Sequence, residues 1–423
     1  MKIKTRGFVR AIVSIIDYVK FYEITLAKSG RKLMILLGVY VALVLVSFMF
    51  RAKVWQLPTW ATSPVFINVL PWLMLSMPVL MFLINLQRAD RKENPHFLKN
   101  KALENKFNAA QPSVEERKLG FKTIKSGIRF QSSIAISKTF NMQKIFNPDV
   151  DWPLILKEDS EEYDRLITSL KDHSNLFVPY GRAKLRKALF GKQLINEDKI
   201  AFASNFPPEN DDDSITVYKT NYFTGMCSAE RSRDDAYTET VRGGRKNVSS
   251  AESRLAFIPN GTNYIMPDIA DNYRPVSLQF GIEVIGLTKD KILRIPHQSD
   301  MPEIDAGLRI PLATGSMDWV DATSVKTLNE LIVMAAKREL IEEWGGMKGK
   351  AGKSLRKRMA NSVYEPLGYY RQVLRSGKPQ FVCLVYLDCL DSELTPDLSE
   401  VKFSIEEYRK GISNCLTPID SLK

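Results

Sequence analysis

Two long apolar stretches dominate the first quarter of the chain. Residues 33–50 read LMILLGVYVALVLVSFMF without a charged side chain, about the length that spans a hydrocarbon core. Residues 64–86 read PVFINVLPWLMLSMPVLMFLINL and include Pro71 and Pro78, and membrane helices tolerate proline better than soluble helices do. The pattern predicts a two-helix transmembrane hairpin over residues 33–86.

Basic residues flank this hairpin on its outer sides, whereas the connecting loop holds only Arg51 and Lys53. The positive-inside rule therefore predicts a two-pass protein with both termini in the cytoplasm. Residues 1–32 form a basic amphipathic segment that we expect on an anionic leaflet. Packing of that segment on the soluble domain is the alternative. Residues 87–112 are polar and charged, as in a juxtamembrane linker.

Shorter helical and alternating patterns follow in the rest of the chain. Residues 113–273 mix both, with a helical spacing at 161–173 and a strand-like alternation at 214–226. We predict a mixed α/β region of unknown role there. Residues 274–423 suggest strands, one long helix and further strands. The predicted fold class is thus α+β: the hairpin, the mixed region and a C-terminal sandwich with a mixed sheet.

Composition narrows the classes of site that the chain can hold. It has 423 residues with a formal net charge of +12, four cysteines and three histidines. None of the cysteines or histidines shows metal-ligand spacing, and the cysteines have no CxxC pair. This pattern is typical of reduced thiols in a reducing compartment.

The long helix of the last region is predicted from Ser324, its candidate N-cap, to Trp344. At about 100° per residue, Val333, Leu340 and Trp344 fall on one side of it, flanked by Met334. We expect that side to be buried.

Three glutamates, Glu339, Glu342 and Glu343, fall on the other side at spacing i, i+3 and i+4, so their carboxylates are neighbours. Hard oxygen ligands at this spacing suit Mg²⁺, which also takes phosphate oxygens. Arg338 can pair with one carboxylate and fix its orientation. The alternative is a solvated acidic helix face, which needs no ligand.

The wider pattern resembles the Nudix box. Glu330, seven further residues and then RELIEEWG from Arg338 match the glutamate and arginine positions of that motif. Ser324 stands in place of its leading glycine, and Gly346 in place of its last apolar residue. The resemblance implies a Nudix fold, in which Glu339, Glu342 and Glu343 would be the metal-binding and catalytic residues of an active member.

The hairpin, middle region and Nudix-like end together resemble a narrower group: two-transmembrane effectors with an SMODS-associated Nudix domain, from bacterial anti-phage CBASS systems. That resemblance implies a non-enzymatic sensor in the bacterial inner membrane. A cyclic oligonucleotide would bind the cytosolic domain and drive homo-oligomerisation of the hairpins, which disrupts the bilayer. The alternative is a membrane-anchored Nudix hydrolase that cleaves a nucleoside diphosphate derivative with Mg²⁺, and a third is a membrane adaptor that binds no nucleotide.

A polyanionic ligand needs cations and stacking surfaces. Basic residues near the box also suit a solvated loop or an anionic-lipid contact. We expect no DNA or RNA polymer as a partner. The predicted nucleotide-binding residues are Arg338, Lys348, Lys350, Tyr370, Arg371, Arg375 and Lys378.

Overall fold

A computed structural model describes the structure from residue 96 onward, with gaps. The described residues are 96–99, 109–124, 133–147, 149–172, 197–208, 213–229, 234–239, 245–249, 258–266, 268–269, 276–298, 310–345, 349–394, 401–402 and 416–418. The predicted hairpin at residues 33–86 and the segment before it lie outside them. Within these ranges, the helices fall short of the length and apolar character that a membrane crossing needs.

Helices and strands are mixed along the described chain. The helices are α1 (Val114–Lys118), α2 (Lys138–Phe140, continued by a π-turn at Asn141–Ile145), α3 (Glu161–Asp172), α4 (Tyr222–Ser228), α5 (Trp319–Ala322), α6 (Leu328–Trp344) and α7 (Gly349–Ala360). The strands are β1 (His96–Lys99), β2 (Lys122–Ile124), β3 (Ile134–Ile136), β4 (Leu154–Lys157), β5 (Asp198–Phe202), β6 (Ile215–Asn221), β7 (Asp234–Glu239), β8 (Arg245–Ser249), β9 (Ile258–Asn260), β10 (Asn263–Ile265), β11 (Gly281–Leu287), β12 (Ile292–Arg294), β13 (His297–Gln298), β14 (Ala313–Ser316), β15 (Val363–Gln372), β16 (Lys378–Tyr386), β17 (Val401–Lys402) and β18 (Leu416–Pro418).

Eight of these strands form the main sheet. Its order is β18-β12-β11-β16-β15-β3-β2, and β14 also pairs with β11. β11 and β16 run parallel while the other pairs are antiparallel. The sheet is therefore mixed, as predicted. A hairpin turn joins β15 to β16 through Ser376 and Gly377, both of which have left-handed φ angles, of 60° and 73°, and glycine adopts these at little cost.

The main sheet contains strands from both regions that the sequence analysis predicted on either side of residue 273. β2 and β3 precede that position, yet β3 pairs with β15 at Gln372 and Arg371. The apolar core is also shared, since Phe121 and Trp152 belong to the same buried cluster as Leu340 of α6. The boundary at residue 273 therefore does not divide two cores within the described structure.

Asn141 takes the place of a neighbouring strand beside β15. Its Nδ2 donates to the carbonyl oxygen of Tyr369 at 3.1 Å, and its Oδ1 accepts from the Tyr369 N–H at 2.9 Å. The side chain is buried, so water cannot replace either bond. This contact ties the π-turn before residue 273 to the sheet after it.

We expect Asn141→Ala to lower the free energy of unfolding by about 2 kcal/mol, because it leaves two buried backbone groups of Tyr369 without partners. Urea denaturation followed by circular dichroism measures the change. Met142→Ala is the control, since Met142 is exposed on the same turn and should lose little. Equal stability of the two variants would contradict a structural role for the amide.

Local patterns agree with the structure in several places and differ in one. The helical spacing at 161–173 matches α3, and the alternation at 214–226 matches β6 before it turns into α4. The predicted start of the long helix at Ser324 is wrong. Thr327 is the N-cap of α6, because its side chain accepts a hydrogen bond from the Glu330 N–H, while the chain from Trp319 forms the separate short helix α5.

Candidate functional site

The helix α6 buries most of the predicted side together with two glutamates that the sequence placed opposite it. Leu340 and Trp344 are buried as predicted, and Val333 is half-buried. Met334, predicted on the buried side, is exposed, whereas Glu339 and Glu343 are buried at 8% and 6% relative exposure. Glu342 alone of the three glutamates lies at the surface. The two buried carboxylates belong to the stripe of Ile332, Ala335, Ala336 and Leu340, at helical spacing on the face towards β14.

Arg338 lies at the centre of a group of carboxylates, here called the Arg338 cluster: Arg338, Asp318, Asp321, Glu339 and Glu342. Its Nη1 lies 3.0 Å from a Glu339 oxygen, 3.2 Å from Glu342 and 3.3 Å from Asp318. Its Nε donates to Asp321 at 3.0 Å, and its Nη2 donates to the Ser316 carbonyl at 3.0 Å. One guanidinium thus contacts four carboxylates, which come from α5, α6 and the residue before α5.

A second cation reaches the cluster from the middle region. Lys199 of β5 is buried and bonds to Asp318 and Glu197. The strand is held there by backbone pairing, because Phe280 donates to the carbonyl of Ile200 at 3.1 Å. The region before residue 273 therefore contributes the positive charge of Lys199 to the acidic residues around α6.

Burial sets the protonation of the cluster. It raises the pKa of Glu339 to about 7, although Arg338 and Lys199 act in the opposite direction. Burial also raises the pKa values of Asp318 and Glu342 above the usual range, against the influence of Arg338. Burial alone would lower the pKa of Arg338, but Glu339 and the neighbouring aspartates raise it, so the guanidinium keeps its charge.

The predicted magnesium ligands do not fit a shared metal ion in this arrangement. Nη1 of Arg338 lies between Glu339 and Glu342, and Glu343 turns away to accept from the Thr314 N–H at 2.9 Å. Among the described residues, no three acidic, histidine or cysteine side chains converge closely enough to hold a metal. The magnesium site stays a prediction of the resemblance.

We expect Arg338→Met to lower the free energy of unfolding by about 2 kcal/mol in the presence of a chelator, because carboxylates then face each other without their shared cation. The raised pKa of Glu339 limits the loss, since that group can take up a proton. Millimolar magnesium should raise the Tm of the variant and leave the Tm of the wild type unchanged.

Arg165→Met is the control for this experiment, because Arg165 is an exposed helix residue that pairs with Glu162 at 3.7 Å. Magnesium should leave the Tm of Arg165→Met unchanged. If magnesium also failed to raise the Tm of Arg338→Met, the carboxylates would not surround a cation position.

Two of the predicted nucleotide-binding residues, Tyr370 and Lys378, lie on one polar face of the main sheet, and Arg375 lies in the turn between their strands. Lys378 of β16 is buried, and its Nζ bonds to the Ser316 hydroxyl at 3.2 Å. The half-buried Tyr370 of β15 donates its hydroxyl to Glu283 of β11. Arg375 reaches Gln372, which lies opposite Lys378 in register. The polar sheet face is defined here by Ser316, Glu283, Tyr370, Lys378 and Gln380.

The other predicted binding residues lie elsewhere. Arg371 is fully buried on the opposite face of β15, where its Nη1 pairs with Glu116 at 3.1 Å, so the prediction that it contacts a ligand is wrong in this structure. Lys350 is exposed on α7, away from these contacts. Lys348 lies outside the described residues. Arg338 is engaged with its carboxylates but bonds the same residue, Ser316, as Lys378 does.

Sequence reasoning missed several members of this site. Asp318 and Asp321 belong to none of the patterns described above, and Lys199 lies more than a hundred residues before them. The pairing of β5 with the segment around Asp318 brings them together. The signal that could have found the aspartates is Asp-x-x-Asp at the start of a short helix, where Asp321 accepts from the Asp318 N–H at 2.9 Å.

Neither a family model nor a curated protein matches this chain. The Nudix resemblance therefore depends on the residues of the box itself. Any function inferred from those residues is a proposal. Its structural support comes from the geometry of the Arg338 cluster and the polar sheet face.

Proposed function

We propose that this chain is a membrane effector of a bacterial anti-phage system, in which a Nudix-like cytosolic domain senses a cyclic oligonucleotide without cleaving it. The observation that carries the sensing role is the position of Arg338 among three carboxylates. A guanidinium in that position fills the space between the carboxylates that a hydrolase would need for its metal. Activation of water by a metal is thereby disfavoured at the cluster, and an anionic ligand has to find its positive charge outside it.

The polar sheet face supports the choice of ligand. Lys378 and Arg375 offer positive charge, and Tyr370 offers an aromatic ring next to them. Such a combination suits a phosphodiester with an attached base. A ligand of this kind favours the assembled state only if it binds that state more tightly than the single chain.

The output is proposed to be assembly of the hairpins at residues 33–86 in the inner membrane. Two helices cannot enclose a pore alone, so several copies must come together to breach the bilayer. Both termini would be cytoplasmic, which places the sensing domain on the side where an infection signal is made.

The full chain in dye-filled liposomes tests this proposal. Cyclic di- and trinucleotides should release the dye, and the bound nucleotide should be recovered intact in the presence of a chelator. Leu43→Arg places a charge in the middle of the first span, at a cost of about 3 kcal/mol of insertion free energy, and should abolish release while nucleotide binding remains. Release by the correctly inserted Leu43→Arg variant would sink the membrane-effector proposal.

The hydrolase alternative is favoured by one observation, the pKa of Glu339 near 7, which suits a general base at neutral pH. It predicts that nucleoside diphosphate derivatives are returned cleaved in the presence of magnesium. Replacement of both Glu342 and Glu343 by glutamine should then abolish cleavage, whereas a sensor should still release dye.

A further inference from the structure

One row of residues across the polar sheet face includes a glycine, Gly281, which leaves space for a neighbouring side chain. Four residues lie side by side across four strands, in the order Ser316, Gly281, Gln380 and Tyr370. A Cβ atom at position 281 would lie 1.9 Å from Oε1 of Gln380. The carboxamide of Gln380 therefore lies directly over Gly281, in space that any other residue would fill.

This carboxamide is buried, and its oxygen lacks a hydrogen-bond partner among the described residues. Gln380 is 3% exposed, and its buried Oε1 has no hydrogen-bond partner within the described structure. A buried polar atom without a partner destabilises a fold, and such groups are rare without a functional reason. A leucine or methionine would fill the same volume without that cost.

The neighbours of Gln380 are polar and bond with one another. Tyr370 bonds to Glu283, and Lys378 bonds to Ser316. Tyr370, Glu283 and Ser316 are each half-buried, so solvent reaches the face around the amide. Lys378, two residues from Gln380 on the same strand face, supplies positive charge beside it.

We propose that the Gln380 carboxamide recognises the adenine base of the nucleotide ligand. A primary amide presents one acceptor and one donor side by side, and adenine presents the complementary amine and ring nitrogen. Lys378 would then lie beside the base to meet the attached phosphate. This inference rests on the proposed nucleotide-binding function, which it makes specific for the base.

A ligand role and a structural role of Gln380 have opposite signatures. Gln380→Met keeps the length and volume of the side chain but removes both polar atoms. If the amide serves a ligand, the variant should have a higher Tm than the wild type without ligand, because the unsatisfied acceptor is gone. The same variant should bind adenine nucleotides at least about tenfold more weakly, a loss of about 1.4 kcal/mol.

The experiment uses the full chain in detergent and measures Tm and equilibrium binding. The probes are cyclic di-AMP, cyclic tri-AMP, AMP and purine riboside monophosphate, which lacks the exocyclic amine. The wild type should prefer AMP to the amine-free analogue, and Gln380→Met should lose that preference. Val382→Met, two positions along the same strand and half-buried, is the matched control and should keep it.

The outcomes separate this inference from the proposed function. Equal binding of cyclic di- or tri-AMP by the wild type and Gln380→Met would overturn the base-recognition role and leave the sensor intact. Binding of AMP alone, with dependence on Gln380, would support the base site and count against a cyclic ligand. A wild type that binds no adenine nucleotide overturns the inference, and so does a lower Tm of Gln380→Met with unchanged binding. Gly281→Ala, which displaces the amide, should lose the same preference as Gln380→Met.

Discussion

Replacement of Arg371 by methionine should lower the free energy of unfolding by about 3 to 5 kcal/mol. Arg371 is fully buried, with its Nη1 at 3.1 Å from Glu116 and its Nε donating to the Gly377 carbonyl at 2.7 Å. Removing the guanidinium leaves the buried carboxylate of Glu116 without its counter-ion. Urea denaturation of the full chain measures the loss.

The partner variant shows whether the pair acts as a unit. Glu116→Gln removes the charge yet can still close the helix cap with Ser113, whose N–H donates to Glu116 at 3.0 Å. The double variant should be more stable than the sum of the single losses predicts. Glu115→Gln is the matched control, because Glu115 pairs with Lys118 at the surface, where an ion pair contributes little. A cost for Arg371→Met no larger than that of Glu115→Gln would contradict the burial of the pair.

Replacement of Trp344 by alanine should also cost about 3 to 5 kcal/mol, since it empties the largest side-chain volume at the end of α6. The ring is fully buried, and its Nε1 donates to the Leu312 carbonyl at 2.5 Å. The guanidinium carbon of Arg294 lies 5.2 Å from the ring centroid, so a cation–π contact is lost as well.

A graded series distinguishes packing from a general effect on the helix. Trp344→Phe keeps most of the apolar contact and should lose clearly less than Trp344→Ala. Val320→Ala, on the neighbouring short helix and 64% exposed, should be close to neutral. Unfolding midpoints in urea rank the three, and a Trp344→Ala midpoint near that of Val320→Ala would mean that the ring is not part of the core.

The sequence predicts single elements of this fold better than their assembly. The helical spacing before His173 and the alternation of β6 depend on neighbours along the chain, so local pattern suffices for them. The pairing of β3 with β15 joins residues more than two hundred positions apart, and no local signal carries it. For the same reason, no local pattern predicts the two hydrogen bonds between Asn141 and Tyr369.

The candidate site shows the same limit. The helical wheel placed Glu339 opposite the predicted buried side, yet burial of a charge depends on partners that the wheel does not include. Arg338, the nearest partner of Glu339, is next to it in sequence, but Lys199, which pairs with Asp318 in the same cluster, comes from the distant strand β5. The helical spacing predicts three neighbouring glutamates, but Glu343 turns away to Thr314 on β14, so packing against the sheet decides which carboxylates come together.

The sheet that crosses residue 273 limits how this chain can be recombined. A chimera that grafts residues 274–423 onto a different N-terminal segment would lack β2 and β3, and would expose the edge of β15 that Asn141 and β3 cover. It would also leave Arg371 buried without Glu116. A transplantable C-terminal unit has to begin upstream of α1, so the shortest exchangeable piece starts before residue 114 and takes in nearly everything after it.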